Sequence, residues 1–139
     1  MNNRYIGENL RKEVEKRAKG ICEYCRINID DTYFGGEIDH IISLKHRGET
    51  VSENLAFACQ PCNRNKGSDL GSISENTKEL VRFYNPRTDD WNAHFHVNQN
   101  GEIETLSEIG EVTAFIFKFN EMERVLERQG LMELGAYPN

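Results

Sequence analysis

Four cysteines in two Cys-x-x-Cys pairs, Cys22-Glu23-Tyr24-Cys25 and Cys59-Gln60-Pro61-Cys62, constrain this chain more than any other feature. They are its only cysteines. Two residues between the members of a pair let both thiolates converge on one ion, and two such knuckles match a tetrahedral zinc site. Four thiolate ligands leave no open coordination position, so this ion would staple a fold rather than do chemistry. The other readings are reduced thiols without metal, or a disulfide or redox role, for which one pair would suffice. A core confined to the cysteine region would be small, and small cores usually need a staple.

A chain of 139 residues is one domain, or one domain with an appendage. No apolar run approaches the ~20 residues needed to span a bilayer. The N-terminus, Met1-Asn2-Asn3-Arg4-Tyr5, lacks the apolar stretch of a secretory signal. The expectation is a cytoplasmic protein, where paired cysteines bind metal more often than they form disulfides. The net charge of −6 is unevenly spread. Residues 1–67 hold 11 Lys/Arg and 10 Asp/Glu, whereas residues 68–139 hold 6 and 13. The acid therefore lies away from the cysteine motifs, and a local cationic surface can coexist with weak non-specific DNA affinity.

Hydrophobic spacing predicts a helix over 8–19, with Leu10, Val14 and Ala18 on one face and Gly20 suited to its C-cap. Residues 37–42 and 53–58 read as short strands, and a short helix follows Cys62 until Gly67 breaks it. A second helix is expected over 74–83, then a turn at 85–90. Residues 91–97 and 102–106 read as strands joined by Asn98-Gln99-Asn100-Gly101, a strong hairpin signal. A long helix is expected over 108–128, with Val112, Phe115, Ile116, Phe119, Met122 and Leu126 on its apolar side. Trp91, His94, Phe95 and His96 form either a second site or, more simply, the core of that hairpin.

Between the cysteine pairs lie Asp39-His40 and Asn54-Leu55, and the second pair runs directly into Asn63-Arg64-Asn65-Lys66. In this order and spacing the elements resemble the HNH endonuclease family, whose ββα-metal motif carries the nuclease centre on a hairpin and a helix. The resemblance covers about residues 20–70. The third family position is usually His and is Asn63 here, a departure that the family's H-N-N members share. Residues 85–139, with Trp91-x-x-His94-Phe95, also resemble an appendage of some bacterial HNH proteins, which names no substrate.

The resemblance implies metal-dependent hydrolysis of DNA phosphodiesters, which needs an activated water and a cation for developing negative charge. His40 would be the general base, since imidazole titrates near neutral pH. Asp39 and Asn63 would hold Mg²⁺ or Mn²⁺ through hard oxygen donors. Asn54 would hold the loop and so orient His40. Each assignment has a plainer alternative: an ion pair from Asp39 to Arg64 or Lys66, a helix cap for Asn63, a turn asparagine for Asn54. Arg64 and Lys66 are the favoured phosphate contacts because they share a helical turn with Asn63, with Lys45, His46 and Arg47 as further candidates. His46 is the second choice as base.

The expected fold is thus α+β: a small zinc-stapled ββα-metal nuclease motif with flanking helices, followed by a C-terminal β-hairpin plus helix. The expected division is a nuclease domain over 1–84, containing the zinc ligands Cys22, Cys25, Cys59 and Cys62, and an appendage over 85–139. The expected partner is nucleic acid, DNA ahead of RNA, with no membrane and with room for a protein partner or a second copy. The rival reading is a non-catalytic zinc module that binds nucleic acid or protein.

Overall fold

The computed structural model describes residues 5–139. Residues 1–4, where the segment read as lacking a secretory signal begins, lie outside the described residues. Helix α1 (Glu8–Ala18) buries Val14 fully, with Leu10 and Ala18 packed beside it on the core. Lys19 and Gly20 both take left-handed backbone and end the helix. From its last turn Arg17 donates to Ser52 O at 3.1 Å and Leu55 O at 2.7 Å.

That bond anchors α1 to the hairpin that carries the site. Strands β1 (Gly36–His40) and β2 (Leu55–Cys59) pair antiparallel, with Asp39 opposite Ala56 and His40 opposite Leu55. β2, Leu-Ala-Phe-Ala-Cys, is buried at every position because α1 and the following helix both pack against it. Helix α2 (Gln60–Lys66) begins with Pro61 in its first turn, where a missing N–H costs nothing, and ends at Gly67 with φ 53°.

Three expected elements differ from what the chain forms. In place of a helix over 74–83, β3 (Gly71–Ile73) and β4 (Leu80–Arg82) make an antiparallel hairpin. The segment between them is polar, Ser74 N–H donates to Glu79 O across the turn at 2.8 Å, and Lys78 adopts φ 63°. The strand expected over 91–97 opens as one helical turn, α3 (Trp91–His94), and only β5 (Phe95–Val97) is extended. In a strand Trp91 and Phe95 would stand about 13 Å apart. The helical turn brings their rings to 5.1 Å between centroids, and both are buried. β5 then pairs with β6 (Ile103–Thr105) around the Asn-Gly turn, with Gly101 at φ 80°.

The long helix over 108–128 is two helices, α4 (Glu108–Phe117) and α5 (Met122–Glu133), separated by left-handed Lys118. Phe117 and Phe119 are both fully buried. Two residues apart they cannot share a helical face, so the break admits both. Asn120 in the break receives Ile103 N–H at 2.8 Å and donates to Ile103 O at 2.9 Å, capping the edge of β6. Phe115, Met122 and Leu126, which a continuous helix would place on its apolar side, are exposed. α4 packs on β3 and β4, which explains where that hairpin finds its cover.

The second half of the chain shares one core with the first. The Phe117 ring meets Tyr24 at 4.9 Å and Phe83 at 5.2 Å. Trp91 Nε1 donates to Tyr24 O at 2.7 Å, and the Tyr137 hydroxyl donates to Cys25 O at 2.8 Å. Trp91 and Phe95 are therefore core residues; His94 Nδ1 lies 2.6 Å from Ser107 Oγ, the cap of α4, and His96 is exposed. The architecture is α+β, a ββα unit with flanking helices and a C-terminal hairpin and helices. No helix among the described residues is long and apolar enough to cross a membrane.

Candidate active site and metal centre

The first knuckle is shaped by its backbone. Cys22 N–H donates to Ile27 O at 2.8 Å and Arg26 N–H donates to Cys22 O at 2.9 Å, which turns Cys22 and Cys25 to the same side. The second knuckle joins the end of β2 to the first turn of α2. The four sulfurs converge within 4.8 Å of one another, all buried, with Cys25 Sγ 3.7 Å from Cys59 Sγ. A tetrahedral ion with Zn–S bonds of about 2.3 Å spaces its sulfurs about 3.8 Å apart, so this donor set fits zinc. Contact with Cys22 pushes Cys59 up and burial pushes Cys62 up, while contact with Cys22 pulls Cys25 down.

Arg124 of α5 closes this centre from the far half of the chain. Its guanidinium donates to Cys62 Sγ at 3.1 Å and Cys59 Sγ at 3.8 Å, and to Phe117 O at 2.7 Å. Burial works against its charge, but Cys62, Cys25 and Cys59 more than compensate and raise its pKa. Arg124→Leu leaves the thiolates without this donor and is expected to cost about 3 kcal/mol in urea denaturation of the zinc-loaded protein. No sequence signal marks Arg124, because its role depends on how α5 docks.

The second cluster lies on β1 and α2. Strand alternation turns Glu37 and Asp39 to one face, toward α2, where Asn63 and Lys66 stand three residues apart on the facing side. Asp39 is 4 % exposed; its Oδ2 accepts the Tyr24 hydroxyl at 2.7 Å and its Oδ1 accepts Lys66 Nζ at 3.1 Å. Burial raises the Asp39 pKa, with Lys66 and Tyr24 opposing the rise. Asn63 Nδ2 donates to Glu37 Oε2. His40, half-buried, has Nε2 2.9 Å from Thr50 Oγ1. Burial lowers its pKa, Asp39 opposes, and Lys66 lowers it further. Glu37, Asp39, His40 and Asn63 line one open cavity of about 540 Å³, together with Arg11 and Lys45.

Asn54 sits behind this cavity. Its Oδ1 accepts Ile42 N–H, and its Nδ2 donates to Ile42 O and Glu49 O, each at 2.9 Å. The loop after His40 is thereby drawn against the start of β2. Gly48 is obligatory there, since a Cβ would lie 1.7 Å from Ile42 O. Asn54→Ala removes three hydrogen bonds and is expected to cost about 2 kcal/mol by the same denaturation measurement.

The cations expected at phosphates are placed differently. Lys66 is 2 % exposed and spends its ammonium on Asp39 and on His40 O at 2.9 Å, so it is an internal counter-charge and not a phosphate contact. Arg64 projects from the other side of α2, donates to Gln60 Oε1 at 3.2 Å and lines a separate cavity near Cys25 and Cys59. His46 faces the β3–β4 hairpin rather than the cavity of His40. Of the five basic candidates, only Lys45 lines that cavity, and Arg11 joins it from α1. Glu37 joins the cavity from the same strand face as Asp39, two residues before it, a placement that strand alternation makes legible in the sequence.

A ββα unit stapled by four thiols, with Asp-His on its hairpin and Asn on its helix, defines a ββα-metal class of fold. Residues 22–69, a little over a third of the chain, match the family model described as HNH endonuclease. The match supports a nuclease-type function and a nucleic-acid substrate. No curated protein matches the chain.

Proposed function

We propose that this protein is a metal-dependent endonuclease that hydrolyses DNA phosphodiester bonds. The observation that carries the reading is the convergence of His40, Asp39 and Asn63 on one open cavity within the HNH segment. The oxygen donors of Asp39 and Asn63, a carboxylate and an amide, suit Mg²⁺ or Mn²⁺ rather than a soft metal. When bound by Asp39 and Asn63, such an ion supplies positive charge for the phosphorane-like transition state and the leaving 3′-oxygen.

The chain's own residues do the rest. In the tautomer whose Nε2–H donates to Thr50, His40 keeps the Nδ1 lone pair and removes a proton from the attacking water. Its lowered pKa keeps the ring neutral near pH 7, the form a base requires. Asn54 holds the loop that fixes where the imidazole stands. Tyr24 and Lys66 hold the Asp39 carboxylate from two sides. Arg11 and Lys45 are placed to meet phosphates that flank the scissile bond. In this reading residues 1–84 are the nuclease domain and 85–139 the appendage that buttresses its zinc centre, in a cytoplasmic protein.

The test is cleavage of supercoiled plasmid and of single-stranded and branched DNA by zinc-loaded protein with millimolar Mg²⁺ or Mn²⁺. Nicking that stops on chelation of the added metal, with zinc retained, is the expected result. Folded, zinc-loaded protein that binds DNA or a protein but cuts none of these substrates overturns the reading in favour of a non-catalytic zinc module.

A further inference from the structure

The charges around the cation site do not balance without a residue that the nuclease reading leaves unused. Asp39 carries one negative charge, and Lys66 already matches it at 3.1 Å. Each Asp39 oxygen also holds a donor, Tyr24 on one and Lys66 on the other. Asn63 is neutral. Arg11 and Lys45 add positive charge to the same cavity. Taken alone, the Asp39, Lys66 and Asn63 set is close to neutral and has little Coulombic pull on a dication.

Glu37 supplies what is missing. It is exposed, it lines the cavity, and its Oε2 accepts the Asn63 Nδ2–H. An ionised carboxylate can only accept hydrogen bonds. The Asn63 amide therefore turns its nitrogen to Glu37, which leaves Oδ1, the only metal-binding atom of that side chain, free for a cation. Glu37 and Asn63 reach each other because strand alternation and helix spacing put them in register, the same register that pairs Asp39 with Lys66.

We propose that Glu37 is the third member of the cation site, orienting the Asn63 amide and adding the unbalanced negative charge that draws in a divalent ion. The inference rests on the nuclease reading's placement of the cation at Asp39 and Asn63.

The test is titration of zinc-loaded protein with Mn²⁺, followed by electron paramagnetic resonance, for wild type, Glu37→Gln, Asn63→Ala, Asp39→Asn and the Glu37→Gln/Asn63→Ala pair. Glu37→Gln keeps the side chain's size but removes the charge and can donate back to Asn63. It is expected to weaken Mn²⁺ by at least about tenfold with an unchanged thermal midpoint. The double variant should lose less than the product of the two single losses, because one effect of Glu37 acts through Asn63. Wild-type binding by Glu37→Gln, with Asn63→Ala weakened, overturns the role of Glu37 and leaves the nuclease site standing. Unchanged binding in Glu37→Gln, Asn63→Ala and Asp39→Asn alike overturns the cation site and the role of Glu37 together.

Discussion

His40→Ala is expected to lower the rate of DNA cleavage by about 10²- to 10⁴-fold, the contribution of a positioned general base. The variant should keep its fold. The His40 side chain is half-buried at the mouth of the cavity, and the loop behind it is held by Asn54 through bonds that do not involve the imidazole. Lys66 also keeps its bond to His40 O, a backbone atom that alanine retains. The measurement is the initial rate of plasmid nicking at saturating Mg²⁺, alongside zinc content and circular dichroism of the same preparation. Equal rates in wild type and a folded His40→Ala would remove the assigned base. His46 would not be a convenient substitute, because it faces the β3–β4 hairpin.

Removing the zinc is expected to unfold the ββα unit. The four sulfurs are buried at the junction of the first knuckle, β2 and α2, and Arg124 brings α5 to the same point. Structural zinc contributes on the order of 10 kcal/mol. That is comparable with the entire stability of a typical domain, about 5–15 kcal/mol. In the apo chain Arg124 would stay buried without the thiolates that face it, which adds to the loss. Cys59→Ser should act like chelation, since its sulfur ends β2 and opens α2. A thermal melt by far-ultraviolet circular dichroism should lose its cooperative transition after chelation and regain it when Zn²⁺ is returned. A cooperative melt that survives full zinc removal would show that the core stands without the metal.

The two predictions meet at Tyr24. It lies between the cysteines of the first knuckle, and its hydroxyl holds Asp39. Loss of zinc therefore disturbs the carboxylate as well as the fold, and cleavage should fall in step with zinc content rather than after global unfolding alone.

What the sequence determined by itself is local. Two Cys-x-x-Cys pairs bring sulfurs together because two intervening residues leave little other geometry. Leu10, Val14 and Ala18 declare α1 by their period, and Asn100-Gly101 declares the last hairpin by its tolerance of positive φ. Asp39-His40 announces two side chains on opposite faces of a strand, and the same alternation implied Glu37 beside Asp39. Only the tertiary structure decided the rest, because each outcome turns on a partner distant in the chain. Residues 74–83 became half of a hairpin because α4 covers them. The helix expected over 108–128 broke because Phe117 and Phe119 both had core to fill. Lys66 turned inward because Asp39, 27 residues earlier, is buried and accepts its ammonium. Arg124 reached the cysteines across more than 60 residues, through a bond that no local pattern encodes. Spacing along the chain sets which side chains share a face; burial against the remainder of the chain sets which of them stay free to act.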